Sequence, residues 1–243
     1  MKEHLKLVEI RGTIFIPQIP FSWGIVNDLQ QSLKDYIPSV NTSSSPMIIE
    51  DAFINPNVLT PGEWSLVASN KKQQVLFHEQ KIDFLKFIHE DPSPSIDEFT
   101  KDCKALFKIF SKFTNSKCSR IAIAPTFEYA GDRNDIMSFV HDIFKKTDFH
   151  DAVLDNCDFS QVFRIRENIL DKLIIINYLS KFYAVNKVIS SNGKNQLAEA
   201  TMISFDINSK VDPDITFTHE AVSDFFDKSP KFCEKFLAFY FDK

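Results

Sequence analysis

Four arginines stand on the polar side of runs that alternate with apolar residues, and they carry the chemistry this chain offers. Arg11 lies between Glu9 and Thr13 in LKLVEIRGTIFI, and Arg120 opens RIAIAPTFEYA, which also holds Thr126 and Glu128. Arg164 and Arg166 alternate with Phe163 and Ile165. A guanidinium is permanently charged and presents a planar fork of donors, so arginines gathered on one surface suit a carboxylate or a phosphate. With Glu128 beside them, Arg11, Arg120, Arg164 and Arg166 form the candidate binding set, the floor of a groove for an anionic or peptide ligand. The bland alternative is a wetted sheet face stitched by cross-strand ion pairs, each contributing little.

The remaining constellations are weaker. His219-Glu220 begins like a zinc-binding helix, but Ser223 stands where a second histidine is needed. The acidic run DINSKVDPD (206–214) alternates oxygens yet lacks the glycine and distal glutamate of a calcium loop, and reads as a solvated turn. Cys118, His141 and Asp142 make a thiol site only on paper. Five glycines in the whole chain argue against a glycine-rich nucleotide loop. No catalytic residue, cofactor or metal ligand is therefore assigned.

The arginines need elements to position them. Ile121, Ile123, Pro125, Phe127 and Tyr129 fall on one face of an alternating run, with Arg120, Ala122, Ala124, Thr126 and Glu128 on the other, the period of a half-buried strand. Pro125 lacks an N–H, which predicts an edge or a bulge there. Residues 5–16 alternate alike, with Val8, Ile10, Gly12, Ile14 and Ile16 opposite Glu9, Arg11 and Thr13. Each strand is followed by a helical pattern, Ser22 through Ile37 in one case and 132–146 in the other. Ser39 to Pro46 reads as a loop.

Short antiparallel strands are expected at 64–67, 74–77 and 82–87. Ser95 and Glu98 form a capping box ahead of a stripe from Ile96 to Phe113. The second half repeats the order: strands at 163–166, 173–188 (one long strand or a bent pair) and 199–208, an Asn192-Gly193 hairpin turn, and a helix capped by Thr218 that restarts at Ser229-Pro230. The predicted fold class is α+β: two pseudo-repeated βαβββα-like halves, 1–114 and 115–243, with antiparallel sheets and helices packed on one face.

Composition narrows the function classes. Hydrophobic residues at 44% and charged residues at 25% are ordinary globular values. Phenylalanine, at 25 copies, falls mostly on predicted helix and strand faces and reads as core. The amino terminus has no signal peptide, no apolar run spans a membrane, and the four cysteines lie far apart, so a cytoplasmic location is expected. Net charge is −5, and along the sequence the lysines alternate with acids instead of forming a cationic stripe. The expected partners are thus a protein or a second copy of the chain, with a small anionic ligand as the alternative; neither nucleic acid nor membrane is expected.

LVEIRGTIFI, the Trp-led WSLVASNKKQQVLF, RIAIAPTFEYA, and SFDINS before THEAVSDFFD resemble a sporadically distributed bacterial family of uncharacterised cytosolic proteins of this length. That resemblance implies a fold and no activity, and its distribution suggests a component of a bacterial defence or toxin–antitoxin pair. The residues themselves favour a non-catalytic binding or protein-interaction module, with a homodimer among its expected forms. The competing expectation is a small hydrolase or transferase acting on an anionic substrate, with Arg164, Arg166 and Glu128 in its site.

Overall fold

The computed structural model describes residues 2–16, 31, 36–42, 45–48, 64–68, 73–78, 80–88, 95–113, 118–131, 159–191, 194–212 and 214–242. A short 3-10 turn (Lys2–His4) leads into β1 (Leu5–Phe15), followed by β2 (Tyr36–Thr42), β3 (Ser45–Ile48), β4 (Trp64–Ala68), β5 (Gln73–Phe77) and β6 (Lys81–Phe87). Helix α1 (Ile96–Phe113) separates these from β7 (Arg120–Tyr129), β8 (Phe159–Ile169), β9 (Lys172–Ser191) and β10 (Lys194–Ser209), and α2 (His219–Phe241) comes last. The strands form one antiparallel sheet in the order β3-β2-β4-β5-β6-β1-β7-β10-β9-β8, an α+β architecture. The strands of both halves thus share a sheet, joined where β1 pairs with β7.

Alternation decides which face the helices take. Ile10 and Ile14 of β1, Ile121 and Ile123 of β7, and Ile203 and Phe205 of β10 are buried beneath α1 and α2. Phenylalanine fills the layer between: Phe84 stacks on Phe99 at 5.1 Å, Phe107 on Phe226 at 5.3 Å, and Phe205 packs on Phe236 at 4.5 Å. Each such ring stabilises the fold by roughly 1.5–3 kcal/mol relative to exposure. At Gly12 the side chains of α1 press close on β1, since a Cβ there would sit 2.6 Å from Cys103 Sγ.

The capping box forms, Ser95 N–H donating to Glu98 Oε2 and Glu98 N–H to Ser95 Oγ, both at 3.2 Å. Thr218 caps α2 through its hydroxyl, which accepts from the Ala221 N–H at 3.4 Å. That helix runs unbroken through Pro230, contrary to the expected restart. The buried Ser229 hydroxyl donates to the Phe225 carbonyl at 2.8 Å, and rings on both sides of the proline, Phe225, Phe226, Phe232 and Phe236, hold the two segments to one sheet face.

Other expectations are corrected by long-range pairing. Tyr36 and Ile37 begin a strand rather than end a helix, because β2 pairs with β4 (Tyr36↔Ala68, Ile37↔Val67). Much of the expected loop 39–46 is likewise the β2–β3 hairpin. Residues 22–30, 32–35 and 132–146, where the sequence suggests helices, lie outside the described residues, as do Asn192 and Gly193. β9 and β10 do pair from Ser191↔Lys194 onward, leaving a two-residue connection.

Pro125 is on a central strand, not an edge. The ladder to β10 is interrupted between Ser204↔Thr126 and Ile207↔Ile123, which accommodates its missing N–H. The bulge occurs instead in β1, where the register shifts between Leu7 and Glu9. A further tight connection joins β8 to β9 through Leu170 and Asp171 at φ 43° and 59°. Leu170 is unusual in that conformation. The turn is tied to α2, Leu170 N–H donating to Asp224 Oδ2 at 2.8 Å and Lys228 Nζ to Asn168 O at 2.9 Å.

Candidate ligand-binding site on the open sheet face

Since β-strand side chains alternate, the residues between the buried positions point away from both helices. Among the described residues no element covers that second face. Its centre is a groove of about 580 Å³ over β1, β7 and β10. Ala122, Ala124, Thr126 and Ser204 form a low floor, while Phe15, Phe87, Tyr183 and Met202 stand higher around it. Small side chains on adjoining strands, ringed by large ones, are what make this part of the sheet concave. Val8, expected on the apolar face, lines the groove because the bulge in β1 turns it outward.

The charged groups of the groove come from four strands. Arg11 Nη2 lies 3.3 Å from Glu9 Oε1, and the Arg120 guanidinium sits over the Phe15 ring, 5.0 Å from its centroid. Among the described residues the Nε of each arginine is buried without an acceptor. An unmatched buried donor costs on the order of 1–3 kcal/mol. Asp206 of β10 lines the opposite wall, its Oδ1 accepting from Asn208 Nδ2 at 2.8 Å. The expected acidic turn therefore begins inside a strand. Tyr183 has its hydroxyl pKa raised by burial and secondarily by Glu9.

A buried polar cluster adjoins the groove at β6. Asp83 is 1% exposed; its Oδ1 accepts from Thr13 Oγ1 at 2.6 Å and its Oδ2 from Lys81 Nζ at 2.7 Å. His78 Nε2 is 3.0 Å from the same Asp83 oxygen, but out of line for a hydrogen bond. Desolvation, then Lys81, pushes the His78 pKa down, which outweighs the pull of Asp83. Lys81 and Thr13 also line the groove, so this cluster fixes one of its cations.

Of the residues singled out from sequence, Arg11 and Arg120 both line the groove, Arg11 opposite Ala124 and Arg120 opposite Phe15. Glu128 is on the same face, opposite Lys6 and Met202, but does not line the groove. Arg164 and Arg166 share the sheet and the face, yet stand on β8, beyond β10 and β9. The single floor expected for all four arginines is thereby corrected. Arg164 instead borders a separate pocket of about 200 Å³ with Phe163, Lys235 and Phe239. Cys118, proposed on paper for a thiol site, is buried, its Sγ donates to the Arg120 carbonyl at 2.8 Å, and burial pushes its pKa to about 12. His141 and Asp142 lie outside the described residues.

Sequence reasoning missed Lys81, Lys210, Tyr183 and Asp206, and it denied a cationic stripe that the register assembles. Lys81 pairs with Phe15, and Phe15 with Arg120. Ser209 pairs with Ile176, and the Lys210 N–H continues that ladder to the Ile175 carbonyl at 2.8 Å. Ile175 pairs with Arg166. The β7–β10 ladder ends at Asn208↔Ala122, and its register carried two residues further sets Lys210 opposite Arg120, so that Lys81, Arg120, Lys210 and Arg166 fall in one row that contains no carboxylate. Residues so far apart in the chain leave no local signal, which is why net charge was a poor guide.

No protein-family model matches the chain, and no curated protein does either. One solved structure is similar over 97% of this chain and 84% of its own, with a TM-score of 0.33 and 8% identity. It is described as a rolling circle replication initiator protein from Geobacillus stearothermophilus. That finding is at odds with two expectations, a non-catalytic protein-interaction module and the exclusion of nucleic acid, and both are withdrawn. At this TM-score the likeness carries no argument of its own. Among the described residues no helix is long and apolar enough to cross a membrane.

Proposed function

We propose that the helix-free face of the sheet binds a phosphate-bearing ligand in the groove between Arg11 and Arg120. The observation that carries this reading is that two arginines of neighbouring central strands, each with a buried Nε lacking an acceptor among the described residues, line one groove with alanines and small hydroxyl residues. A small turn of either guanidinium toward an anion replaces the missing acceptor, and charge-assisted bonds of this kind are about twice as strong as neutral ones. Glu9 and Asp206 would repel a bare anion and accept from ligand N–H or O–H groups. They favour a phosphate attached to a hydrogen-bonding body, such as a nucleotide, over inorganic phosphate.

The test is a thermal-shift and equilibrium titration with nucleoside monophosphates and inorganic phosphate. At about 100 times Kd a ligand stabilises by about 2.7 kcal/mol. Nucleoside monophosphates are expected to raise Tm by several degrees, and Arg11→Ala and Arg120→Ala to abolish the shift. If no phosphate compound shifts the wild-type protein, the reading is wrong.

We also infer an internal duplication. The strand order supports it: β4-β5-β6-β1 and, reading inward from the other edge, β8-β9-β10-β7 have matching chain order, and each series is followed by a helix on the same face. β2 and β3 are then an added hairpin in the first half. On this reading the groove lies at the junction of two like units, each supplying one arginine.

A further inference from the structure

The groove is short, but the cationic row that borders it is not. Lys81, Arg120, Lys210 and Arg166 lie on one line perpendicular to the strands, and Arg164 lies in the next row, opposite Asn177. From β6 to β8 this line crosses five strand spacings, about 24 Å. A lone phosphate on a small ligand can meet Arg11 and Arg120, or Arg166, but not both ends. Among the described residues Lys210, Arg164 and Arg166 have no ion-pair partner, and all three are exposed. Phe15 and Ile175 separate the cations within the row. The aromatic surface on this face is Phe15 within the row and Phe87 and Tyr183 around the groove, whereas Phe163 and Phe239 meet on the helix side of β8, outside the line. Spaced cations interleaved with aromatic surface are what a single-stranded nucleic acid requires, charge for its phosphates and ring faces for its bases.

We propose that this row is a phosphate track, so that the ligand of the groove is one unit of a single-stranded polynucleotide laid across the sheet from β6 to β8. This rests on the phosphate-binding reading of the groove. A duplex fits poorly, because its bases are stacked inward and unavailable to Phe15 or Tyr183. The carboxylates beside the groove are Glu9, Asp206 and Asp83, while Glu128 shares the face but lies outside the groove. Asp83 is buried under Lys81, Glu9 is held by Arg11, and none of the three lies in the row.

The experiment measures binding of fluorescent oligothymidylates, from one nucleotide to about twelve, at several salt concentrations, with a duplex of equal length as competitor. Affinity is expected to rise with length until the track is filled. Lys210→Ala combined with Arg166→Ala should flatten that rise while leaving mononucleotide affinity unchanged. Two lost phosphate contacts should lower the slope of log affinity against log salt by about 1.4. Oligomers that bind no better than the mononucleotide, a double variant with wild-type length dependence, or a duplex that competes equally would each overturn the track while leaving the groove reading intact. Absence of binding at every length would sink both.

Discussion

Replacing Gly12 by alanine tests the arrangement on which the open face depends, α1 pressed against the opposite side of β1. The added Cβ would lie 2.6 Å from Cys103 Sγ and 3.4 Å from Phe226 Cε1, where ordinary contact begins at 3.4 Å. Cys103 is fully buried on α1, so its sulfur has no open space to enter and the helix or the strand must shift. Overpacking of this kind costs about 1–3 kcal/mol. The lost unfolded-state freedom of glycine offsets about 0.4–1 kcal/mol of it. The net expectation is a loss of about 1–2 kcal/mol, or a fall in Tm of about 2–8 °C for a chain of this size. Cys103→Ala removes the clashing atom, so Gly12→Ala should be nearly neutral in that background. The four proteins form a cycle, read by urea denaturation, with an expected coupling of about 1 kcal/mol or more. A Gly12→Ala protein as stable as wild type, or a loss that Cys103→Ala does not relieve, would refute the packing and with it the assignment of faces.

Two further expectations concern titration and reactivity. The His78 pKa is depressed in the folded state, so its contribution to stability is fully present above about pH 6.5, its unfolded value. That contribution should be lost as pH falls below this value, and His78→Gln should flatten the slope of stability against pH over that window; an unchanged slope would contradict the depressed pKa. Burial raises the pKa of the Cys103, Cys118 and Cys233 thiols, and the thiolate is the reactive form. In a Cys157→Ser protein these three should resist iodoacetamide at pH 8 until denaturant unfolds the chain; rapid labelling of the folded protein would show that they are not enclosed as described.

Legibility from sequence followed the range of the interactions involved. The alternation in RIAIAPTFEYA sorted Arg120 from Ile121 correctly, because side-chain direction in a strand is a local property with a period of two. The capping box at Ser95 and the Thr218 cap were legible for the same reason, since donor and acceptor are three residues apart. Tyr36 and Ile37 were misread because their apolar spacing also suits a helix, and only pairing with β4 settles the matter. Pro125 was misplaced at an edge because a gap in a ladder depends on the neighbouring strand. The α2 restart failed because rings on both sides of Pro230 pack on one sheet.

The candidate site divides along the same line. Sequence alone determined which side chains leave each strand on the helix-free side, and so put Arg11, Arg120, Arg164 and Arg166 on one face. It could not determine strand neighbours, because register is fixed by contacts between residues many positions apart and leaves no mark in local composition. The tertiary structure decided that Arg11 and Arg120 line one groove from neighbouring strands while Arg164 and Arg166 lie across β10 and β9. It also brought Lys81 and Lys210 into line with Arg120, giving a local cationic row to a chain whose total charge is −5. Net charge sums over the whole surface, whereas a ligand meets only the few charges that the sheet sets side by side.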